Sequence, residues 1–398
     1  MIEGLYYRFQ KLTHIKSVSI LLAYMARFVF FLRFLVKRVL IQSEKQLIDP
    51  DCAEAIIADT SPDLGRAADY SVSSLDPDID LSVIVPVYNH IDVIGRCIDG
   101  LLNQKTGFRF ELILVDDGST DGAQNMIERY RSHPHVVLIH QENGGIAAAR
   151  NTGISRARGR YLMFVDCDDE VKDTLVESLM QAAVAGDYDI VMCGHNLVKR
   201  KDGVITSIIP YVHPEKNLLG YRNGDEIMNY AGLPWAKVYK RELFEKVRFF
   251  PGYWYEDTIV HCLLFPQCKT FRYVPSALYD YNWYEGNFSH VQAGRQSKPK
   301  AVDRYWLLKA ITENYDRIGL PHDAKIYTIL LKHVSAYYYP TVSSLPEEVV
   351  QAMFFVGREL LLKYKPQEKV KLPYMLKQTE KALLEKNIAL WKLCSVNQ

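Results

Sequence analysis

No Cys-x-x-Cys pair occurs in this chain, whose seven cysteines, Cys52, Cys97, Cys167, Cys193, Cys262, Cys268 and Cys394, are scattered. That scatter fits neither a zinc ribbon nor a disulfide framework, and free thiols in a reducing cytoplasm are the expectation. Net charge is almost absent too. At +1 over 398 residues there is no overall positive field to displace counterions from phosphates, so no nucleic-acid partner is expected. No uncharged apolar run reaches the ~18 residues of a spanning helix, because Arg27 and Arg33 interrupt the most apolar stretch, Ser17 to Ile41. No small-residue cleavage site follows it, which argues against a cleaved signal peptide.

Hydrophobic residues make up 48% of the chain, enough for one large core or two smaller ones at ~100–200 residues per domain. Met1 to Lys45 hold eight Lys/Arg against Glu3 and Glu44, a local charge of +6. Advancing about 100° per residue puts Lys16, Arg27, Arg33, Lys37 and Arg38 on one arc and apolar residues such as Leu21, Met25, Leu32 and Val36 on the rest. Residues 1–48 therefore read as a basic amphipathic helical segment, suited to the plane of an anionic membrane or, alternatively, to docking on the protein's own core or on a partner subunit. Residues 49–80 carry nine acidic residues against Arg66 alone, with Asp-Pro and Ser-Pro steps, and read as an acidic linker. Residues 81–295 alternate β-branched runs with helix-like stretches, the signature of an α/β fold with a mainly parallel sheet flanked by helices. After residue 296 the periodicity becomes helical, giving a C-terminal helical region over 296–398.

Ligands of open α/β sheets bind beyond the carboxyl ends of the strands, and the polar residues of this chain gather there. One strand ends in Pro86-Val87-Tyr88-Asn89, another in Asp116-Asp117-Gly118-Ser119-Thr120-Asp121, and a later one in Asp166-Cys167-Asp168-Asp169. Between them Asn143-Gly144-Gly145 leads into a small-residue helix, Ile146 to Gly153. No Gly-x-Gly-x-x-Gly follows the first strand and no Gly-Lys-Ser/Thr occurs, which removes the dinucleotide and Walker-type phosphate sites. Asp166 and Asp168, two apart on a strand end, instead suit a hard divalent cation whose shell is completed by diphosphate oxygens.

The motifs PVYN, DDGSTD, NGGIAAARNTG and the DxD-type DCDD, in this order, cover about half of the chain and resemble glycosyltransferase family 2, with its GT-A fold. The resemblance implies an inverting transferase that moves a sugar from a nucleoside-diphosphate sugar, UDP favoured, to a hydroxyl of a glycan or lipid-linked acceptor in surface polysaccharide synthesis. It places Pro86 and Tyr88 beside the nucleobase, with Asn89, Asn143 and Gly144 in the same donor-binding set. Asp116 or Asp117 would bond the base or ribose, Asp166 the ribose or diphosphate, and Asp168 a Mn²⁺ or Mg²⁺ ion. Arg150 either supports the nucleotide pocket or pins the Asp116/Asp117 loop by an ion pair.

Pro234 to Tyr239 and Tyr253 to Asp257 resemble the family's W-x-K-L-Y and E-D segments, which makes Trp235 and Lys237 acceptor-side residues. Asp257 is then the candidate base, with Glu256 holding the loop or orienting the acceptor; an acidic residue at a helix start is also an ordinary cap. His290, in Asn287-Phe288-Ser289-His290, is a candidate to complete the metal shell. The rival readings are a non-catalytic scaffold that binds sugar nucleotides or glycans, and a nucleotidyltransferase. The first sits poorly with the retained carboxylates. The second needs a glycine-rich, basic phosphate loop that PVYNHIDVI does not supply. Peripheral attachment to the cytoplasmic face of the cell membrane is the expected location.

Overall fold

The computed structural model describes residues 16–41, 44–65, 71–213, 222–223, 227, 230, 232–284 and 298–396. The chain forms two compact units: Met1–Asp63 with Arg295–Lys309 and Pro321–Gln398, and Leu64–Gly294 with Ala310–Leu320.

Among the described residues the second unit holds a ten-stranded sheet. Its strands are β1 (Leu81–Val87), β2 (Phe110–Asp116), β3 (Val136–His140), β4 (Tyr161–Phe164), β5 (Glu170–Val171), β6 (Ile190–Lys201), β7 (Val204–Tyr211), β8 (Arg222–Asn223), β9 (Lys237–Lys240) and β10 (Thr270–Trp283). The main order is β3-β2-β1-β4-β9-β6-β10-β5, with β7 on β6 and β8 on β10. β1, β2 and β4 are buried at every position, which is why they read as unbroken apolar runs rather than alternating ones. The parallel order expected from the strand–helix alternation holds over β3-β2-β1-β4 and again for β6 with β10. β9 joins the two blocks and runs antiparallel to both β4 and β6. It is reached from the 232–236 loop rather than through a crossover helix, and a parallel pairing requires such a crossover.

Helix Ile146–Arg156 packs against β1 at its one close approach. A Cβ on Gly153 would stand 2.3 Å from Ile84 Cγ2, so only glycine lets the helix lie this near the strand. That approach carries Arg150, about one turn into the same helix, to the end of β4.

The first unit is helical, with Lys16–Leu40, Ala53–Thr60, Ala324–Ala336, Glu347–Lys363, Tyr374–Leu384 and Ile388–Ser395. Trp391 is fully buried, 5.4 Å from the Phe354 ring, and its Nε1 donates to Val334 O at 3.1 Å. Part of the stretch expected as linker folds here. Ala53 and Ile57 are buried, and Glu54 accepts from Tyr305 Oη and Lys309 Nζ, both at 2.6 Å. The apolar spacing of this short helix is masked in the sequence by its acidic neighbours.

Helix Lys16–Leu40 is held by Phe34, which is fully buried. Tyr374 meets Phe34 and Phe31 edge-on at 6.2 and 5.4 Å, and its hydroxyl accepts from Arg38 Nη1 at 3.0 Å. Opposite Phe34, Met25, Phe28, Val29, Leu32, Val36 and Val39 form an exposed apolar stripe. No described helix is long and apolar enough to cross a membrane.

Candidate active site

The four motifs converge at the carboxyl ends of β1, β2 and β4, as the strand-end reading requires. Pro86 is buried within β1, whereas Tyr88 just beyond it is 46% exposed. Asn89 adopts φ 54°, a left-handed conformation that asparagine tolerates better than most residues. Its backbone N–H donates to Ser119 Oγ at 3.1 Å and its Oδ1 accepts from Thr120 N at 2.7 Å, which ties the β1 and β2 ends together.

Asp116 and Asp117 are both buried and both engaged within the protein. Asp116 Oδ1 accepts from Ser119 N at 3.1 Å, while Oδ2 lies 2.9 Å from His140 Nδ1, whose other nitrogen lies 2.7 Å from Glu128 Oε1. Burial works against a charge on His140, but its bonds to Asp116 and Glu128 outweigh that and raise its pKa. Asp117 accepts from Gln141 Nε2 at 2.7 Å, Gly144 N at 2.9 Å and Gly145 N at 2.8 Å. It thereby fixes the glycine turn before helix Ile146–Arg156, with Asn143 exposed on that turn. Burial raises the Asp117 pKa against these bonds.

Arg150 does something other than pin the Asp116/Asp117 loop. It is 2% exposed, and it donates from Nη2 to Asp166 Oδ1 at 2.8 Å and from Nη1 to Glu256 Oε1 at 2.7 Å, with its guanidinium 5.2 Å from the Phe249 ring. Burial opposes a charge there, yet the two carboxylates hold it firmly cationic. One buried cation thus joins the strand-end carboxylate to the Glu256-Asp257 loop. Asp257 is half-buried beside it, just ahead of a π-helical turn over Val260–Leu264.

Asp166 keeps 23% of its side chain exposed while bonded to Arg150. Asp168 accepts from Tyr284 Oη at 3.1 Å, and burial, then the neighbouring Asp166 charge, raises its pKa. His290 and the rest of Asn287-Phe288-Ser289 lie outside the described residues. At the start of β9, the strand next to β4, Lys237 is 3% exposed and donates to Leu233 O at 2.7 Å and Trp235 O at 3.3 Å. Burial lowers its pKa to about 7. The contacts of Lys237 brace the turn that presents Trp235. Trp235 stacks on Tyr279 at 4.7 Å and Tyr281 at 5.5 Å, meets His195 edge-on, and is 6% exposed.

Residues 82–248 match the family described as Glycosyl transferase family 2. The chain is 33% identical over 249 residues to the uncharacterized glycosyltransferase YibD of Escherichia coli (strain K12), an overlap of 59% of this chain and 72% of that protein. This chain belongs to glycosyltransferase family 2. The chain is also 31% identical over 258 residues to the uncharacterized glycosyltransferase EpsJ of Bacillus subtilis (strain 168), 59% of this chain and 73% of that one. The fold is shared with the crystal structure of S. aureus TarS 1-349 in complex with UDP-GlcNAc. There the TM-score is 0.59 at 21% identity, over 80% of this chain and 91% of that one.

The family motifs led directly to the β1, β2 and β4 ends and missed what β10 supplies. Tyr279, Asn282 and Tyr284 all bond the 166–169 loop, and Gln141 and His140 brace the two adjacent aspartates. The run LYDYNWY could not reveal this by periodicity, since strand alternation puts Tyr279 on the opposite face from Asn282 and Tyr284. Nothing local to it tells which face meets Asp168.

Proposed function

We propose that this family 2 enzyme transfers a sugar from a UDP-sugar, with inversion, to a hydroxyl of a glycan or lipid-linked acceptor in surface polysaccharide synthesis. The observation that carries the reading is Arg150, buried between Asp166 and Glu256, because it holds the donor-side and acceptor-side carboxylates of one site at fixed separation. The acceptor oxygen attacks the anomeric carbon, its proton passes to Asp257, and the bond to the diphosphate oxygen breaks as the nucleoside diphosphate leaves. A sugar hydroxyl is a weak nucleophile at neutral pH, so a carboxylate in reach is needed at that moment. Asp116, Asp117 and the Asn143-Gly144-Gly145 turn frame the nucleotide end, beside the exposed Tyr88 ring. A UDP donor is favoured by the UDP-GlcNAc of the TarS complex, a relative in fold.

Asp166 and Asp168 fit a hard divalent cation. Burial and the Asp166 charge raise the Asp168 pKa, a cost that a bound cation relieves, and both side chains offer the oxygen donors that Mn²⁺ or Mg²⁺ prefers. When bound, such an ion would neutralise charge developing on the departing diphosphate. The exposed stripe of helix Lys16–Leu40 suits the surface of an anionic membrane, with Arg33 and Lys37 along its edge for the headgroups. This is consistent with work on the inner face of the cell membrane.

The test is donor hydrolysis by the purified protein across a panel of nucleotide sugars, with and without Mn²⁺ or Mg²⁺. UDP-sugars should be turned over only with the ion, and Asp168→Asn, which keeps shape and removes charge, should lose that turnover about 100-fold or more. Full turnover in a chelator, or by Asp168→Asn, would refute the metal assignment.

A further inference from the structure

Asp169 is a carboxylate at 1% exposure that the transfer chemistry leaves unused. Its pKa is raised well above the usual range by burial, then by Asp168 and Asp166. A buried carboxylate between two others is expensive to keep, and its bonds show what it is kept for. Tyr279 Oη donates to Asp169 Oδ2 at 2.6 Å and the Asn282 backbone N–H to Oδ1 at 2.8 Å. The same Tyr279 oxygen accepts the backbone N–H of Asp166 at 3.2 Å. Asn282 Nδ2 donates to the backbone oxygen of Asp168 at 2.9 Å, and Asn282 Oδ1 accepts from Arg200 Nε at 2.9 Å. Arg200, from β6, also donates through Nη2 to Glu170 Oε1 at 2.7 Å. All four carboxylate residues of the 166–170 turn are therefore tied, directly or through one neighbour, to β6, β10 or the residue just beyond β10.

We infer that Tyr279, Asn282 and Arg200 are positioning residues that, through Asp169, hold Asp166 and Asp168 in the arrangement that binds the divalent ion. The inference rests on the metal reading given above. Its physical content is preorganisation: two like-charged carboxylates repel, and without a rigid frame each would turn away and have to be brought back on binding. Asp169 supplies the anchor at the centre of the turn. Tyr279 grips the turn at both ends of that anchor, while its ring is fixed by stacking on Trp235 at 4.7 Å. Arg200 fixes the amide of Asn282 so that its NH₂ faces Asp168. The orientation of the metal-binding pair is thus set from β6 and β10, strands in the half of the sheet away from the nucleotide motifs.

Tyr279→Phe tests this with the smallest change, since it keeps the ring stack and removes only the hydroxyl. Mn²⁺ binding to the full chain, read by electron paramagnetic resonance of the free ion in the absence of donor, should weaken about tenfold, within the range for partners of metal-binding residues. Saturating Mn²⁺ should restore most of kcat, so that the loss appears as a raised half-saturating metal concentration. A stability change alone would not produce that split. Arg200→Lys serves as the second variant, because it keeps a cation for Glu170 but cannot also hold Asn282; a weakening of about threefold is expected there. Unchanged Mn²⁺ affinity in folded Tyr279→Phe and Arg200→Lys would overturn the positioning role while leaving the metal assignment standing. Absence of Mn²⁺ binding by the parent protein would overturn both.

Discussion

Arg150 has two carboxylates to neutralise and 2% exposure in which to do it. Removing one member of such a buried group leaves an uncompensated charge, which costs about 3–5 kcal/mol. This separates the two acidic residues of the acceptor-side loop. Glu256 accepts from Arg150 at 2.7 Å, so its carboxylate is committed to holding the loop, and the proposed base is its neighbour Asp257. Asp257→Asn should therefore bind donor normally and fold normally while transfer falls about 100-fold or more. Glu256→Gln should instead lower the urea midpoint, reporting a loss of about 3–5 kcal/mol of stability, with activity lost in proportion to unfolding. Near-normal transfer by Asp257→Asn, together with a stable but inactive Glu256→Gln, would exchange the two roles.

Among the elements, helix Ile146–Arg156 depends most on a single position. With Ile84 Cγ2 only 2.3 Å from a would-be Cβ, Gly153→Ala must push the helix off β1 or distort Ile84. A loss of about 1–3 kcal/mol is expected in urea unfolding, accompanied by weaker donor binding because Arg150 moves with the helix. Unfolding at the parent midpoint would show that the contact relaxes freely. The same helix shows what could be read in advance. Its glycine turn, its arginine and the strand-end aspartates are local patterns, complete within a dozen residues, so the sequence located them. The hydrogen bond from Tyr284 to Asp168 spans 116 positions and that from Arg150 to Glu256 spans 106, and no local pattern encodes which distant residue arrives. β9 escaped for a related reason: four residues, Lys237–Lys240, carry too little periodicity to reveal strand direction. Ala53–Thr60 was hidden by composition, its two buried apolar residues outvoted by surrounding acids.

For the whole molecule, the outward stripe on helix Lys16–Leu40 turns the question of location into a partitioning measurement. Burying an apolar side chain of this size contributes about 1.5–3 kcal/mol, so replacing Phe28, Leu32 and Val36 together by Ser should reduce co-sedimentation with phosphatidylglycerol vesicles at least about tenfold. Phe34 and its contacts with Tyr374 are untouched in that variant, and donor hydrolysis in solution should be unaltered. Vesicle binding equal to that of the parent would remove the stripe as the contact.

The first helical unit also has a history in time. It is assembled from Met1–Asp63 and from segments beginning at Arg295 and Pro321, and Leu47 N donates to Gln351 Oε1 across 304 residues. At about 5–20 residues per second on a ribosome, roughly 15 to 60 s separate the synthesis of these two partners. Throughout that interval the catalytic strands emerge and can pair, while the amphipathic helix waits without the Tyr374 that will later grip it. In a nascent chain the Phe34 face of this helix has no Tyr374 to pack on until the carboxyl-terminal helices have been made, so this unit completes its packing only after the strands of the other unit have all been synthesised.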